Sequence, residues 1–328
     1  VVTDVKIEVK IQYIINKIKT MNKTKTMTPQ VFAHNDYQAW QSHLTTQGYV
    51  VIGNILTDAE RLHMFTIFAK DWNHVSPTFD FSNKTTWIQN NSPVMWNKGM
   101  AYASGFGQSN FMWELRTHET ILDIWSHIHN TSDLVTSFDG FSIFLRGKQR
   151  SKSWLHVDQK TSDDQYSIQG AYNFLPVGED DAGFVVVPGS HQTYVTPETA
   201  KGNFIQISED DPHRSLAVKL LIPANSFVLW NSKTIHANVG MSDRKACQLN
   251  RLTAYISMFP KSERSDAVRE RRMQGYLAAE TTGHWATRHD VKRHPYGTKT
   301  RYENRGFLIV EPRLTGDNHI PPKRLALI

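Results

Sequence analysis

Two textures follow one another along the chain. In the first, apolar positions recur at helical spacing. They predict helices over residues 34–46, from 57 to about 72, and over 119–129, with one buried strand, 48–56 (GYVVIGNIL), after the first helix. Thr57-Asp58-Ala59-Glu60 is a capping-box signal, because a hydroxyl and a carboxylate three residues apart can each satisfy a free N–H at a helix start. Residues 75–112 are rich in Ser, Asn, Gly and aromatics without a clear period, and are expected to form loops bordering a site. In the second texture, apolar residues fall in short β-rich runs cut by turn residues: 133–146, 154–159, 167–177, 182–188, 216–223, 226–230, 234–238 and 251–260. Eight such runs, without helices between them, predict a mainly β fold with flanking helices and a double-sheet, jelly-roll core. A charged helical pattern over 261–280 follows, and the last 45 residues are irregular.

No repeat and no linker divides this pattern, so the reading is one domain, 31–290, with a tail, 291–328, packed on it. Residues 1–30 stand apart. Val5, Ile7, Val9 and Ile11 alternate with polar residues, and a Lys/Thr/Asn run follows. The segment has no long apolar signal core, and Asp4 and Glu8 argue against a transit peptide. It is expected to lie outside the core.

Charge sharpens the picture. The net charge of +6 divides into +4 over residues 1–30, −4 over 31–260 and +6 over 261–328. A mildly acidic body is a poor surface for a polyanion, so a nucleic-acid partner is not expected. No apolar stretch approaches the roughly 18 residues of a membrane span. The single cysteine, Cys247, excludes an internal disulfide and fits a reducing, cytoplasmic setting. It also leaves any metal to histidine and carboxylate. Nothing in the pattern sets the oligomeric state.

Three islands then fit one site. Trp154-Leu155-His156-Val157-Asp158 places a His-x-Asp pair on an expected strand, where residues i and i+2 face the same side. His236, 78 residues past Asp158, lies on another expected strand, and Arg251 follows 15 residues later. Two imidazoles and one carboxylate make the facial triad of non-haem Fe(II) oxygenases, which leaves positions open for a co-substrate and O₂. Arg251 offers a bidentate fork for the far carboxylate of a 2-oxo acid. Other histidines compete poorly. His127 and His129 diverge on a helix, His284, His289 and His294 lie in an irregular tail, and His191 reads as a structural turn residue.

These islands, with Gly183-Phe184-Val185-Val186-Val187-Pro188-Gly189-Ser190-His191, Val228-Leu229-Trp230-Asn231-Ser232 and the GYVVIGNIL opening, resemble the phytanoyl-CoA dioxygenase family over roughly residues 35–290. Thr281-Thr282-Gly283-His284-Trp285 resembles a segment of one branch of that family. The resemblance implies a cupin-like double-stranded β-helix in which His156, Asp158 and His236 hold Fe(II). It implies that Arg251 binds the far carboxylate of 2-oxoglutarate with help from the Thr253 hydroxyl, and that Tyr172 flanks the co-substrate. The implied reaction oxidises 2-oxoglutarate to succinate and CO₂ with O₂ while a substrate C–H bond is hydroxylated. Related halogenases lack the carboxylate, so a retained Asp158 favours hydroxylation or a related two-electron oxidation. Nothing here marks an acyl-CoA pocket.

The substrate class expected is a small organic molecule. Trp87, Trp96, Met100, Phe106 and residues 141–146 belong either to its pocket or to the core, and Gln89, Asn90, Asn91 and Gln108 are candidates to orient it. Two other classes stand beside this reading. One is an oxygenase acting on nucleic acid or protein, docked through Arg264, Arg269, Arg271 and Arg272. The other is a non-catalytic jelly-roll binding protein, which an intact triad and arginine argue against.

Overall fold

The computed structural model describes residues 25–87, 91–93, 99–145, 154–164, 166–242, 248–292 and 319–328. Trp96, Gln89, Asn90, Cys247, His294, residue 146 and residues 1–24 lie outside this set.

The first β-strands are β1 (Lys25–Met27) and β2 (Val31–Ala33). Helix α1 (Tyr37–Gln47) ends where Gly48 turns left-handed at φ 73°. A Cβ there would run into the Thr234 hydroxyl and the His191 ring, so the turn needs glycine on both counts. Strand β3 (Tyr49–Gly53) leads to α2 (Asp58–Val75). The capping box forms as the sequence indicates: Glu60 N–H donates to Thr57 Oγ1, and Thr57 N–H donates to the Glu60 carboxylate at 2.7 Å. Strand β4 (Met100–Ala101), α3 (Asn110–Arg116) and α4 (Glu119–His129) follow.

The β-rich half contributes β5 (Leu134–Thr136), β6 (Phe141–Phe144), β7 (His156–Val157), β8 (Ile168–Asn173) and β9 (Gly183–Val186). After the short α5 (Ser190–Thr193) come β10 (Ile205–Gln206), β11 (Val218–Leu220), β12 (Ser226–Asn231), β13 (His236–Val239), β14 (Arg251–Tyr255) and β15 (Met258–Pro260). Helices α6 (Asp266–Leu277) and α7 (Pro322–Ala326) complete the described chain.

These strands build a six-stranded sheet, β1-β11-β9-β13-β7-β10, a seven-stranded sheet, β2-β3-β12-β8-β14-β6-β4, and a two-stranded ribbon of β5 and β15. Each strand of the jelly roll sorts its side chains by parity. Tyr49 and Val51 of β3, Val228 and Trp230 of β12, and Phe184 and Val186 of β9 pack together between the sheets. The alternate residues Val50, Ile52, Phe227 and Leu229 turn outward to the helices, where they meet Trp40, Phe68, Trp72 and Trp125. The outer face of the smaller sheet buries Val157, Val185 and Ala237 beneath Tyr194, Ile205 and Ile207.

The amino-terminal boundary differs from the sequence reading. Lys25–Met27 pairs in parallel with Val218–Leu220, so part of the segment set apart from the core is an edge strand of the smaller sheet. At the other end, Leu327 and Ile328 are buried, and Arg272 Nε donates to the Ile328 carbonyl at 2.9 Å. No helix among the described residues is long and apolar enough to cross a membrane.

Candidate active site

The smaller sheet makes the first half of the site. His156 of β7 and His236 of β13 are direct partners in the antiparallel ladder, and both are buried. Each Nδ1 lies 2.9 Å from a backbone carbonyl two residues back, Trp154 O for His156 and Thr234 O for His236. A carbonyl only accepts, so each Nδ1 carries a proton, and each Nε2 is the ring atom turned toward Asp158 and open to a metal. Asp158 completes the group: its two oxygens stand 3.4 Å from His156 Nε2 and 3.3 Å from His236 Nε2. One donor atom from each of the three residues lies within 4.8 Å of the others. Burial works to raise the Asp158 carboxyl, but the imidazoles of His156 and His236 outweigh it and hold the carboxyl well below the usual carboxylate range.

The sequence around the triad explains its rigidity. Asp158 N–H donates to Ser232 O at 2.9 Å, Ser232 Oγ donates to Gln159 Oε1 at 2.7 Å, and Gln169 Nε2 donates to Asp158 Oδ2 at 2.8 Å. The Trp154 ring stacks on His156 at 4.6 Å and its indole N–H donates to Asn238 O at 2.7 Å. Phe204, 48% exposed, lies beside both rings, its centroid 4.5 Å from that of His156 and 6.2 Å from that of Trp154.

The larger sheet makes the second half. Arg251, Thr253 and Tyr255 alternate along β14, and the residues between them, Leu252 and Ala254, go to the helix side. Arg251 is 3% exposed; its Nε donates to Thr253 Oγ1 at 3.0 Å, and that hydroxyl donates to Asn173 Oδ1 at 2.7 Å. Arg251 Nη1 is buried and has no hydrogen-bond partner. Burial pushes the guanidinium down from its ordinary value, with Tyr255 opposing, yet arginine stays charged at neutral pH. A buried cation with an unmet donor is a strong demand for an anion. Nearby, the Tyr255 hydroxyl lies 2.7 Å from Ser142 Oγ and accepts from Asn238 Nδ2 at 2.9 Å, which ties the β13 strand of the histidine to the β14 strand of the arginine.

The donor set and the arginine thus fit Fe(II) and a 2-oxo acid, and the structure brings His156, Asp158 and His236 together on one side with Arg251 and Thr253 on the facing sheet. Tyr172 is a correction. Its parity on β8 is opposite to that of Gln169 and Asn173, so it points to the helices, packs on Phe174 at 4.6 Å and donates to Asn225 Oδ1 at 2.9 Å. It does not flank the co-substrate.

The residues missed at the sequence level are Gln169, Asn173, Tyr255, Asn238 and Ser142. For Tyr255 the signal was present, since it continues the Arg-x-Thr alternation. His191 is structural, with Nε2 2.9 Å from Thr45 O. Trp87, Phe106 and Phe141 belong to the aromatic core on the helix side. Gln108 bridges Trp113 Nε1 (2.9 Å) and Glu280 O (2.8 Å), and Asn91 Nδ2 holds Thr86 O at 2.9 Å, so both serve the scaffold. Of the arginines considered for docking, Arg272 is fully buried and Arg271 pairs with Glu280 at 2.9 Å.

Comparison with known proteins gives a family and several relatives. The model of the phytanoyl-CoA dioxygenase family, PhyH, matches residues 82–245, which is 164 of 328 residues. The chain is similar to Ava biosynthesis cluster protein O of Aspergillus versicolor, 27% identical over 247 residues, covering 69% of this chain and 78% of that protein. Among solved structures it is similar to the epimerase SnoN in complex with Fe3+, alpha ketoglutarate and nogalamycin RO (TM-score 0.48, 15% identity, 68% of this chain and 84% of that one). It is also similar to the apo non-heme monooxygenase ThoJ (TM-score 0.47, 16% identity, 83% of this chain and 87% of that one).

Proposed function

We propose a reaction for a chain that belongs to the phytanoyl-CoA dioxygenase family and is a 2-oxoglutarate-dependent non-haem iron dioxygenase: hydroxylation, or a related two-electron oxidation, of a C–H bond in a small organic molecule. His156 Nε2, His236 Nε2 and an Asp158 oxygen would hold the iron, and Arg251 would take the far carboxylate of 2-oxoglutarate. Bound there, iron and 2-oxoglutarate supply the oxidising power, with O₂ consumed and succinate and CO₂ released. The chain's own residues position and exclude water. The Nδ1 donations to Trp154 O and Thr234 O fix both rings, Gln169 fixes the carboxylate, and Thr253 with Asn173 fixes the arginine.

The observation that carries this reading is the pairing of a buried His-Asp-His cluster with the unmet Nη1 of Arg251 on the opposite sheet. Asp158 stands where a halide would need to bind, which supports oxygen insertion over halogenation. The similarity to a protein named for a biosynthesis cluster supports a small-molecule substrate. A macromolecular substrate docked on α6 has less support, because Arg272 is committed to the core. The single cysteine supports a reducing, cytoplasmic setting, and residues 31–290 with β1 at the sheet edge are the catalytic unit in this reading.

The test is to load the protein with Fe(II) and 2-oxoglutarate and incubate it with metabolite extract and chloride, and separately with DNA and RNA. Oxygen-18 from O₂ in a metabolite supports the proposal. A chlorinated product, or oxidised bases without an oxidised metabolite, overturns it.

A further inference from the structure

The strand beside the first iron ligand carries an aromatic ring that the fold leaves half uncovered. Strand β10 is the edge of the smaller sheet and pairs with β7, with Ile205 opposite Val157 and Gln206 opposite His156. Partners across a ladder point to the same face, and neighbours along a strand point to opposite faces. Ile205 and Ile207 go to the outer face, where they are buried with Val157 and Val185. Gln206 therefore shares the inner face with His156. Phe204, one step before Ile205, falls on that inner face opposite Asp158. Exposure follows the same alternation: Ile205 and Ile207 are buried, Phe204 and Gln206 exposed.

This parity puts a phenyl ring at the lip of the triad. The Phe204 ring is tilted 36° to the His156 ring, and Trp154 lies on His156 at only 12°. The two carbon rings thus form a corner around the ligand histidine, in which Trp154 is buried and Phe204 is not. The backbone next to Phe204 is fixed, since Ile207 N–H donates to Leu155 O at 2.9 Å and Arg214 Nη2 donates to Ile207 O at 2.6 Å. The apolar cluster on the outer face is complete without Phe204. A single exposed apolar side chain is ordinary on a protein surface. This one differs because anything resting on its free face also lies beside an iron ligand.

We propose that Phe204 is a specificity-determining residue, a platform on which a planar aromatic ring of the molecule to be oxidised stacks. Aromatic rings prefer offset or edge-to-face packing at centroid separations of about 4.5–7 Å, so a ring held on Phe204 lies alongside the triad and turns its edge or its substituents to the metal. The neighbour on the same face, Gln206, is uncharged. A π face without a charge beside it on the strand suits a neutral aromatic ring. The inference rests on the small-molecule oxidation proposed above and names its substrate class.

The test uses the full chain with Mn(II) in place of Fe(II) and saturating 2-oxoglutarate, a paramagnetic complex in which binding is read without turnover. Binding of 2-naphthol and of its saturated counterpart, decahydro-2-naphthol, is followed by ligand-observed NMR. 2-Naphthol should bind about threefold to tenfold tighter, and its ring protons should relax faster with Mn(II) than with Zn(II) in the site. F204L keeps an apolar side chain and removes the ring, so it should abolish the preference, whereas F204W should retain it. Both variants replace a half-exposed side chain and should leave the Mn(II) and 2-oxoglutarate midpoints unchanged. Equal affinities, no binding of 2-naphthol, ring protons indifferent to Mn(II), or a preference that survives in F204L overturns the inference. Failure of the wild type to bind Mn(II) overturns instead the assignment of the metal site.

Discussion

His156 and His236 face each other as register partners of adjacent antiparallel strands, with ring centroids 4.3 Å apart. The separation of two imidazole donors is therefore set by the ladder itself, and the Nδ1 donations to backbone carbonyls set their rotation. Only Asp158, just past the end of β7, depends on a side chain, Gln169, for its aim.

That asymmetry predicts a graded response to mutation. H236A should lose tight Fe(II) binding. Q169L, which keeps all three donors but frees the carboxylate, should weaken binding by about 10–100-fold, the usual range for a group that orients a ligand. Titration of the apo protein with Fe(II) under anaerobic conditions measures both. Wild-type affinity in H236A would remove His236 from the site.

Arg251 should control 2-oxoglutarate and nothing else. Removing one partner of a buried charge pair costs about 2–5 kcal/mol, so R251A should raise the 2-oxoglutarate requirement by about 30-fold to several thousand-fold at 1.4 kcal/mol per tenfold. Fe(II) affinity without co-substrate should stay near wild type. An unchanged 2-oxoglutarate midpoint in R251A moves the anchor elsewhere.

The fold class and the triad were legible because each rests on a local signal. Short apolar runs bounded by turn residues mark strands, and His-x-Asp on a strand fixes one face. Tyr172 was not legible for the same reason in reverse. The strand Ile168–Asn173 reads IQGAYN, in which Ile168, Gly170 and Tyr172 alternate with Gln169, Ala171 and Asn173, and a tyrosine suits a polar site as well as an apolar core. Only pairing of Thr253 with Asn173 and of Ala254 with Tyr172 across β14 settles it. The edge strand Lys25–Met27 is likewise silent, being three residues of KTM whose partner is nearly 200 positions away. His284 looked like part of an irregular tail because its place depends on the docking of a hairpin through Thr281 and Thr282.

Tyr172 therefore becomes a stability prediction. Y172F keeps the ring in the helix-side core and removes one hydroxyl, while Asn225 Oδ1 still accepts from Leu56 N–H at 2.9 Å. The loss should be about 0.5–1.5 kcal/mol, with the 2-oxoglutarate midpoint unchanged. Urea denaturation and the co-substrate titration check the two halves. A shifted midpoint at unchanged stability would return Tyr172 to the site.

Glu280 should make the hairpin that carries His284 sensitive to acid. Burial works to raise its carboxyl, but hydrogen bonds from His289 (2.6 Å) and Arg271 (2.9 Å) outweigh this and hold it below its ordinary value. A carboxyl whose folded value lies below its unfolded value, about 4.3 for Glu, binds fewer protons when folded. Its contribution is thus complete above the unfolded value and fades as pH falls through the folded one. The pair is partly exposed, so the contribution should be no more than about 1 kcal/mol. Thermal denaturation of wild type and E280Q should show the wild type more stable at pH near 7, with the gap closing as pH drops below about 4. A gap that stays constant down to acid pH would mean that the substitution acts through packing, and that the Glu280 charge does not hold the hairpin against α6.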